Sequence, residues 1–105
     1  MRKVKVKICG LKRAQDIECV NKLLPDYIGF VFAKTKREVT EQQAAQLKAM
    51  LKPQIKAVGV FVNAEIDLIA RLAKSRTIDI IQLHGDEDAA YCERLRLQTE
   101  LPIIK

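Results

Sequence analysis

The sequence is poor in several residues that mark specialised protein classes. It has no tryptophan, and only 5% of its 105 residues are aromatic. Phe30, Phe32 and Phe61 stand among small and aliphatic residues rather than among lysines and arginines. This pattern predicts core positions instead of a platform for stacking nucleic-acid bases. No apolar run approaches the ~18 residues that span a bilayer, so we expect neither a membrane helix nor a signal peptide.

Cysteine and histidine are scarce as well. The three cysteines, Cys9, Cys19 and Cys92, are odd in number and show no CxxC spacing, and His84 is the single histidine. A disulfide framework and a multi-histidine metal site are therefore not expected, and a reducing cytoplasm is the predicted location. No glycine-rich nucleotide-binding loop of either common type occurs.

Positive charge is what the sequence has in excess. It carries 19 Lys and Arg against 13 Asp and Glu, which gives a net charge of +6. Such a balance suits a polyanion such as nucleic acid, or an enzyme that handles a small anionic metabolite. The placement of the phenylalanines favours the metabolite.

The chain alternates between two hydrophobic periodicities, period two and period 3.6. Between them lie turn and capping signals, such as Thr40 with Gln43, Asn63, and the pair Gly85 and Asp86. In the third helix the inward stripe is predicted at Ile66, Ile69, Ala70 and Ala73. The patterns predict strands at 4–8, 27–32, 57–62, 78–83 and 102–104, and helices at 14–24, 41–51, 64–75 and 87–97.

Regular strand–helix alternation predicts βαβ units and a parallel sheet. Two architectures fit: a five-stranded doubly wound sheet, or half of a (β/α)8 barrel. Lys3, Lys5 and Lys7 share one face of the first strand, and Gln82 shares parity with His84 at the end of the fourth. Polar residues on an inward face favour the barrel, although the pattern leaves both architectures open.

Three residues at predicted strand ends or in loops could carry chemistry. Cys9 precedes a glycine and has Lys7 nearby, so it is either a nucleophile or general base, or a small buried hydrophobe. Arg37 follows the second strand and suits a carboxylate or phosphate, or else belongs to a solvated basic loop. His84 either contacts substrate or is a structural histidine. Cys19 and Cys92 fall within helices and are predicted to pack.

Four runs, taken together, resemble the phosphoribosylanthranilate isomerase family of tryptophan biosynthesis over the entire chain. One departure is Thr35, where the family usually has serine, so a hydroxyl is retained. The runs are VKICGLK at 6–12, GFVF at 29–32 with Arg37 shortly after, VGVFVN at 58–63, and IIQLHGDE at 80–87.

The resemblance implies a TIM barrel and an Amadori rearrangement of N-(5′-phosphoribosyl)anthranilate, with no cofactor or metal. It makes Cys9 the general base that takes the C2′ proton of a Schiff-base intermediate. It assigns Arg37 to the anthranilate carboxylate and His84 to the substrate pocket, where Lys7 and Gln82 are also expected to bind substrate.

Five predicted strands fall short of the eight that the resemblance implies. The family's general acid, an aspartate after the sixth strand, and its phosphate-binding loops have no counterpart, and Asp86 and Asp88 are interpreted as helix caps. We therefore expect residues 1–105 to be one fragment, the N-terminal half of a barrel domain, nearly inactive alone. Its open edges should bind the C-terminal half or a second copy. The alternative is a non-catalytic half-barrel that assembles or binds anions.

Overall fold

A computed structural model describes residues 7–36 and 38–105, and for Cys9 the backbone alone. Within these residues, strands alternate with helices as the sequence predicts; residues 4–6 of the predicted first strand lie outside the described part. The elements are β1 Lys7–Cys9, α1 Ala14–Leu23, β2 Tyr27–Val31, α2 Glu41–Met50, β3 Lys56–Phe61, α3 Ile66–Lys74, β4 Ile80–Leu83, α4 Ala89–Arg96 and β5 Ile103–Ile104.

The five strands form one parallel sheet in the order β1-β2-β3-β4-β5. A doubly wound sheet reverses its strand order at a switch point, whereas each strand here pairs with the next one in the chain. The half-barrel prediction is therefore confirmed, and the doubly wound alternative is wrong.

The strand register separates the sheet into a helix-covered face and an inner face. Ile8, Ile28 and Ala57 occupy one row of the covered face, and Ile28 and Ala57 have no exposed surface. On the inner face Lys7, Tyr27 and Lys56 share a row. The core thus lies between the outer face of the sheet and the helices, where each buried aliphatic side chain contributes ~1.5–3 kcal/mol.

The three phenylalanines belong to this core, as the sequence predicts. Phe30 and Phe61 have no exposed surface and Phe32 is buried. The rings of Phe32 and Phe61 stack with centroids 5.2 Å apart and an interplanar angle of 11°. This pair packs the end of β3 against the residue that follows β2.

The start of α2 confirms the predicted capping box. The Thr40 hydroxyl accepts a 3.0 Å hydrogen bond from the Gln43 amide, and the Gln43 side chain accepts one of 3.0 Å from the Thr40 amide. At α4 the predicted start is wrong by two residues. Asp88, not Asp86, caps the helix, since its carboxylate accepts from the Tyr91 amide at 2.8 Å.

Asn63 is not the N-cap of α3, contrary to the prediction. Glu65 precedes the helix, and Asn63 has a left-handed backbone with φ of 49°. Its backbone N–H and its side-chain oxygen both bond to the loop after β4 instead. Contacts with that distant loop have overridden a local capping preference.

Two further positions differ from their predictions. Leu24 is exposed and lies beyond α1, with a left-handed φ of 50°. Cys19 is exposed on α1, off the stripe that Ile17 and Val20 bury, so it is not a packing residue. Cys92, in contrast, is half-buried against the core as predicted.

None of the helices in the described part of the chain is both long enough and apolar enough to cross a membrane.

Candidate active site at the carboxyl ends of the strands

The carboxyl ends of parallel strands lie along one rim of the sheet, and in barrel enzymes this rim carries the active site. Gly10, Phe32, Val62, His84 and Lys105 follow β1 to β5 in that order. We call this edge the carboxyl rim. Of the candidate residues that the structure describes, Cys9 (by its backbone) and His84 lie at this rim, and Lys7 and Gln82 lie on the inner face below it.

The β1 end of the rim is shaped by a glycine turn. The backbone of Cys9, the last residue of β1, is in register with Gly29, and the Gly10 amide donates a 2.9 Å hydrogen bond to the Gly29 carbonyl. Gly10 has φ of 82°, a left-handed conformation that glycine adopts without a Cβ clash. This turn places the backbone of Cys9 at the carboxyl rim.

Lys7 and Gln82 meet across the inner face. The ammonium of Lys7 donates a hydrogen bond to Oε1 of Gln82, although β2 and β3 lie between their strands in the sheet. Side chains from the first and fourth strands can reach each other only if this face of the sheet is concave. A cationic and an amide group therefore stand together inside the half-barrel.

Arg37 lies outside the described residues, but its chain neighbours are at the rim. The carbonyl of Lys36 accepts a 3.1 Å hydrogen bond from Nζ of Lys12, in the loop after β1. On the other side, the Val39 amide donates to the Val31 carbonyl at 2.9 Å. The loops after β1 and β2 are thus joined at the end of the rim where Cys9 lies.

His84 is the first residue after β4 and is exposed at the rim. Its backbone N–H donates a 2.8 Å hydrogen bond to the Phe61 carbonyl, which continues the pairing of β3 with β4 for one more residue. The sheet therefore anchors the His84 backbone through its N–H group.

The loop that begins at this histidine also carries a buried carboxylate, which the sequence did not mark as a site residue. Glu87 is 5% exposed, and its carboxylate accepts backbone N–H bonds from Asn63 at 2.8 Å and from Gly85 at 2.9 Å. The ammonium of Lys105 lies 3.3 Å from the same carboxylate. One side chain therefore ties together the ends of β3, β4 and β5.

The pKa of Glu87 is lowered despite its burial. Burial is the largest single influence and acts to raise this pKa, because it penalises the charged form. The backbone N–H groups of Asn63, Glu87 itself and Gly85, together with the Lys105 ammonium, outweigh it. The pKa lies below the ordinary value of 4.5, so the carboxylate is ionised at neutral pH.

One further hydrogen bond joins the loops after β3 and β4, and another joins α4 to the loop after β3. The Asp86 amide donates to Oδ1 of Asn63 at 3.0 Å, and the Tyr91 hydroxyl donates to the Ala64 carbonyl at 2.6 Å. Burial also raises the pKa of Tyr91, which keeps its hydroxyl protonated as a donor. Asparagine is one of the few residues besides glycine that are enriched in left-handed backbone, but nothing local marks Glu87 as the partner of Asn63.

In residues 7–36 and 38–105, apart from the Cys9 side chain, no three His, Cys, Asp or Glu side chains stand close enough together to hold a metal ion.

A sheet wound in one direction, with helices on one face and polar side chains at its carboxyl rim, defines a protein of the (β/α)8-barrel class. The family model described as N-(5′-phosphoribosyl)anthranilate (PRA) isomerase matches residues 6–105. The chain belongs to this family, as the sequence motifs predict.

Named relatives and solved structures agree with this assignment. The isomerase of Lachnoclostridium phytofermentans is 51% identical over 102 residues, which are 97% of this chain and 47% of that protein. A crystal structure of monomers generated from the dimeric isomerase of Thermotoga maritima superposes with a TM-score of 0.83 at 34% identity, covering 95% of this chain and 51% of that one. A second structure, of an isomerase in complex with reduced 1-(o-carboxyphenylamino)-1-deoxyribulose 5-phosphate, superposes with a TM-score of 0.81 at 32% identity and covers 95% of this chain and 51% of that one. The chain spans about half the length of the curated relatives it matches.

Proposed function

We propose that residues 1–105 form the N-terminal half of one barrel domain of a phosphoribosylanthranilate isomerase. In that role the chain takes part in the Amadori rearrangement of N-(5′-phosphoribosyl)anthranilate to a 1-deoxyribulose 5-phosphate derivative. The observation that carries the proposal is the family match over residues 6–105, together with relatives of that name at about 50% identity. The structure bound to a product-like analogue supports the substrate class.

In the proposed reaction Cys9 is the general base. Its thiolate would take the proton from C2′ of the Schiff-base intermediate, and the electron pair of that C–H bond would move into the new double bond. The basicity of a thiolate can be tuned close to neutral pH, which suits this transfer. The position of the Cys9 backbone at the rim, before the Gly10 turn, supports the assignment.

Four residues are proposed to bind the substrate. Arg37 would hold the anthranilate carboxylate through its two-pronged guanidinium group, a geometry that matches a carboxylate. His84, exposed at the rim, and the bonded pair Lys7 and Gln82 on the inner face would line the pocket. The contact between Lys7 and Gln82 on the inner face supports their role, and the cationic Lys7 complements an anionic ligand.

The partner we propose is the C-terminal half of the barrel. In the described sheet, β1 and β5 each pair with a strand on one side only, which leaves two edges open to further strands. Apolar inner-face side chains remain partly exposed, with Ile104 at 49%. The general acid and the phosphate-binding loops that the resemblance implies would come from that half. Pairing of the same edges with a second copy of the chain is the alternative.

The activity is tested by mixing the purified chain with the C-terminal half of a family member and following the loss of substrate fluorescence. We expect turnover in the mixture and almost none with either part alone. Cys9→Ser should lower the rate by about 10²–10⁴-fold, the range that general-base catalysis supplies. Cys19→Ser, an exposed cysteine on α1, is the matched control and should leave the rate unchanged.

Activity that survives Cys9→Ser would show that Cys9 is not the base. Binding of anthranilate with no turnover in any mixture would favour the non-catalytic module instead. The partner is tested separately by size-exclusion chromatography with light scattering. A stable 11.9 kDa monomer that binds neither the other half nor itself would contradict the proposed partner.

A further inference from the structure

We propose that Glu87 is a positioning residue: its buried carboxylate locks the loops after β3 and β4 together and thereby holds His84 in place at the carboxyl rim. We call the four hydrogen-bonded residues Asn63, Gly85, Asp86 and Glu87 the loop clasp. The inference deepens the proposed function and rests on it for the role of His84, whereas the clasp is a feature of the chain itself.

The clasp is a closed set of hydrogen bonds between two loops. Glu87 accepts the N–H groups of Asn63 and Gly85, and Asn63 in turn accepts the N–H of Asp86 through its side chain. Each loop therefore bonds to the other through both main chain and side chain. His84 lies between the last residue of β4 and Gly85, so its backbone is held by the Phe61 carbonyl on one side and by the clasp on the other.

The local geometry is costly unless something maintains it. Asn63 has a left-handed backbone, and Gly85 approaches it so closely that a Cβ there would lie 3.0 Å from the Asn63 side chain. A carboxylate with no exposed side-chain surface also loses its hydration, and it is tolerated only where several donors replace water. Left-handed or strained backbone maintained by surrounding structure is concentrated at functional sites.

Because the clasp lies at the rim, its role in positioning His84 can be distinguished from stabilisation of the whole fold. The hydrophobic core lies below the rim, between the sheet and the helices, and residues such as Ile81 and Leu83 maintain it without the clasp. The clasp instead acts on the segment that carries His84 and on Lys105 at the end of β5. We therefore expect its loss to loosen the rim while the core remains folded.

The first test measures amide hydrogen exchange on the 105-residue chain. Glu87→Gln keeps the shape but puts an amide NH₂ against one of the two backbone donors. Exchange at Asn63 and Gly85 should rise about tenfold or more, because their hydrogen bonds to a charged group are lost. Exchange at Asp86, whose amide bonds to the Asn63 side chain, should rise as the two loops separate. Exchange at Ile81, whose N–H bonds to the Pro102 carbonyl, should stay the same.

Two further variants keep this test decisive. Glu93→Gln removes an exposed carboxylate from α4 and should change none of these rates. If Glu87→Gln does not fold, Asn63→Gly removes the side chain that accepts from Asp86 but keeps the backbone N–H that donates to Glu87. It should raise exchange at Asp86 and leave the amides of position 63 and of Gly85, which Glu87 holds, protected. The inference would be overturned if the exchange rates of the clasp amides did not change in the variants that fold. It would also be overturned if the exchange rate rose equally at every amide.

The second test is a double-mutant cycle in the complemented enzyme. Glu87→Gln should lower kcat/KM about tenfold when His84 is present and less than twofold in a His84→Asn background, since the lost positioning no longer matters. Equal factors in both backgrounds would show that Glu87 does not act through His84. If the unsubstituted mixture has no activity, the proposed function fails, and the exchange measurement alone decides on the clasp.

Discussion

Gly85 and Asn63 approach each other so closely that a methyl group on Gly85 would force Asn63 to shift. A Cβ at Gly85 would lie 3.0 Å from Cγ and Oδ1 of Asn63, and 3.1 Å from its backbone nitrogen. That nitrogen cannot move away freely, because its N–H is bonded to Glu87. Gly85→Ala should destabilise the chain by about 1–3 kcal/mol in urea denaturation, the range found for overpacked sites.

The side chain of Asn63 provides the control for this substitution. In an Asn63→Gly background two of the three close contacts disappear and only the backbone nitrogen remains. The penalty of Gly85→Ala should therefore be smaller in that background. An equal penalty in both backgrounds would place the strain elsewhere in the turn.

Stability should depend on pH through Glu87. Its pKa is lowered in the folded chain from an ordinary value of 4.5, so the unfolded chain takes up the proton first as the solution is acidified. The stabilisation is complete above about pH 4.5 and is lost as the pH falls through the folded-state pKa. Urea midpoints measured between pH 7 and pH 3 should stay level and then decline.

Glu87→Gln should flatten part of that decline, because the variant lacks the titrating group. The pKa values of Asp16, through the Lys12 backbone N–H, and of Glu41, through Arg71, are lowered as well. Both carboxylates are more exposed than Glu87, so solvent screens their contribution. A decline of the same size in the variant would mean that these surface groups, rather than Glu87, cause the acid sensitivity.

Much of the fold follows from local patterns. The period-two and period-3.6 segments lie where the sequence predicts them, since strands and helices bury one face at their own repeat. Lys7 and Gln82 are polar residues on inward faces of their predicted strands, and this pattern favours a barrel. The structure brings these two residues together although 75 positions separate them in the chain.

The clasp could not be predicted in the same way. Asn63 and Glu87 are 24 positions apart, and each has a plausible local role, as a helix cap or as a residue in the first turn of a helix. Their actual roles depend on which loops meet at the rim, and this follows from the complete sheet. Left-handed backbone at Asn63 and carboxylate burial at Glu87 are therefore consequences of tertiary structure.

Leu72 is a core residue that the predicted stripe of α3 omitted. It is 2% exposed and, with Ile69, forms the buried face of that helix, whereas Ala70 and Ala73 are only half-buried. Leu72→Ala should lower the free energy of unfolding by about 2–5 kcal/mol, because it removes buried surface and leaves a cavity.

Leu97→Ala is the control for chemical denaturation of the Leu72 variant. Leu97 is 83% exposed, so its truncation should change the free energy of unfolding by less than about 0.5 kcal/mol. Similar losses for the two variants would mean that α3 does not pack on the sheet as described.

The end of α3 offers a substitution that should stabilise the chain. Arg76 has a left-handed φ of 61°, and its N–H donates to the Ala73 carbonyl at 3.1 Å while the Thr77 N–H donates to the Leu72 carbonyl at 3.1 Å. This paired arrangement is the Schellman motif, in which glycine is the favoured left-handed residue because it has no Cβ to clash with the backbone. Arg76→Gly should raise the free energy of unfolding by about 0.5–1 kcal/mol, since relief of the left-handed strain exceeds the added flexibility of glycine in the unfolded chain.

The same glycine substitution inside the helix should have the opposite effect. Lys74→Gly, in the last turn of α3, also replaces an exposed basic residue and should destabilise the chain by about 1 kcal/mol. Thermal denaturation of the two variants beside the parent chain measures both changes in one experiment. Since charge and exposure are matched, opposite signs would isolate the backbone conformation as the cause, and a loss of stability in both would show that the turn after α3 does not hold Arg76 in the left-handed region.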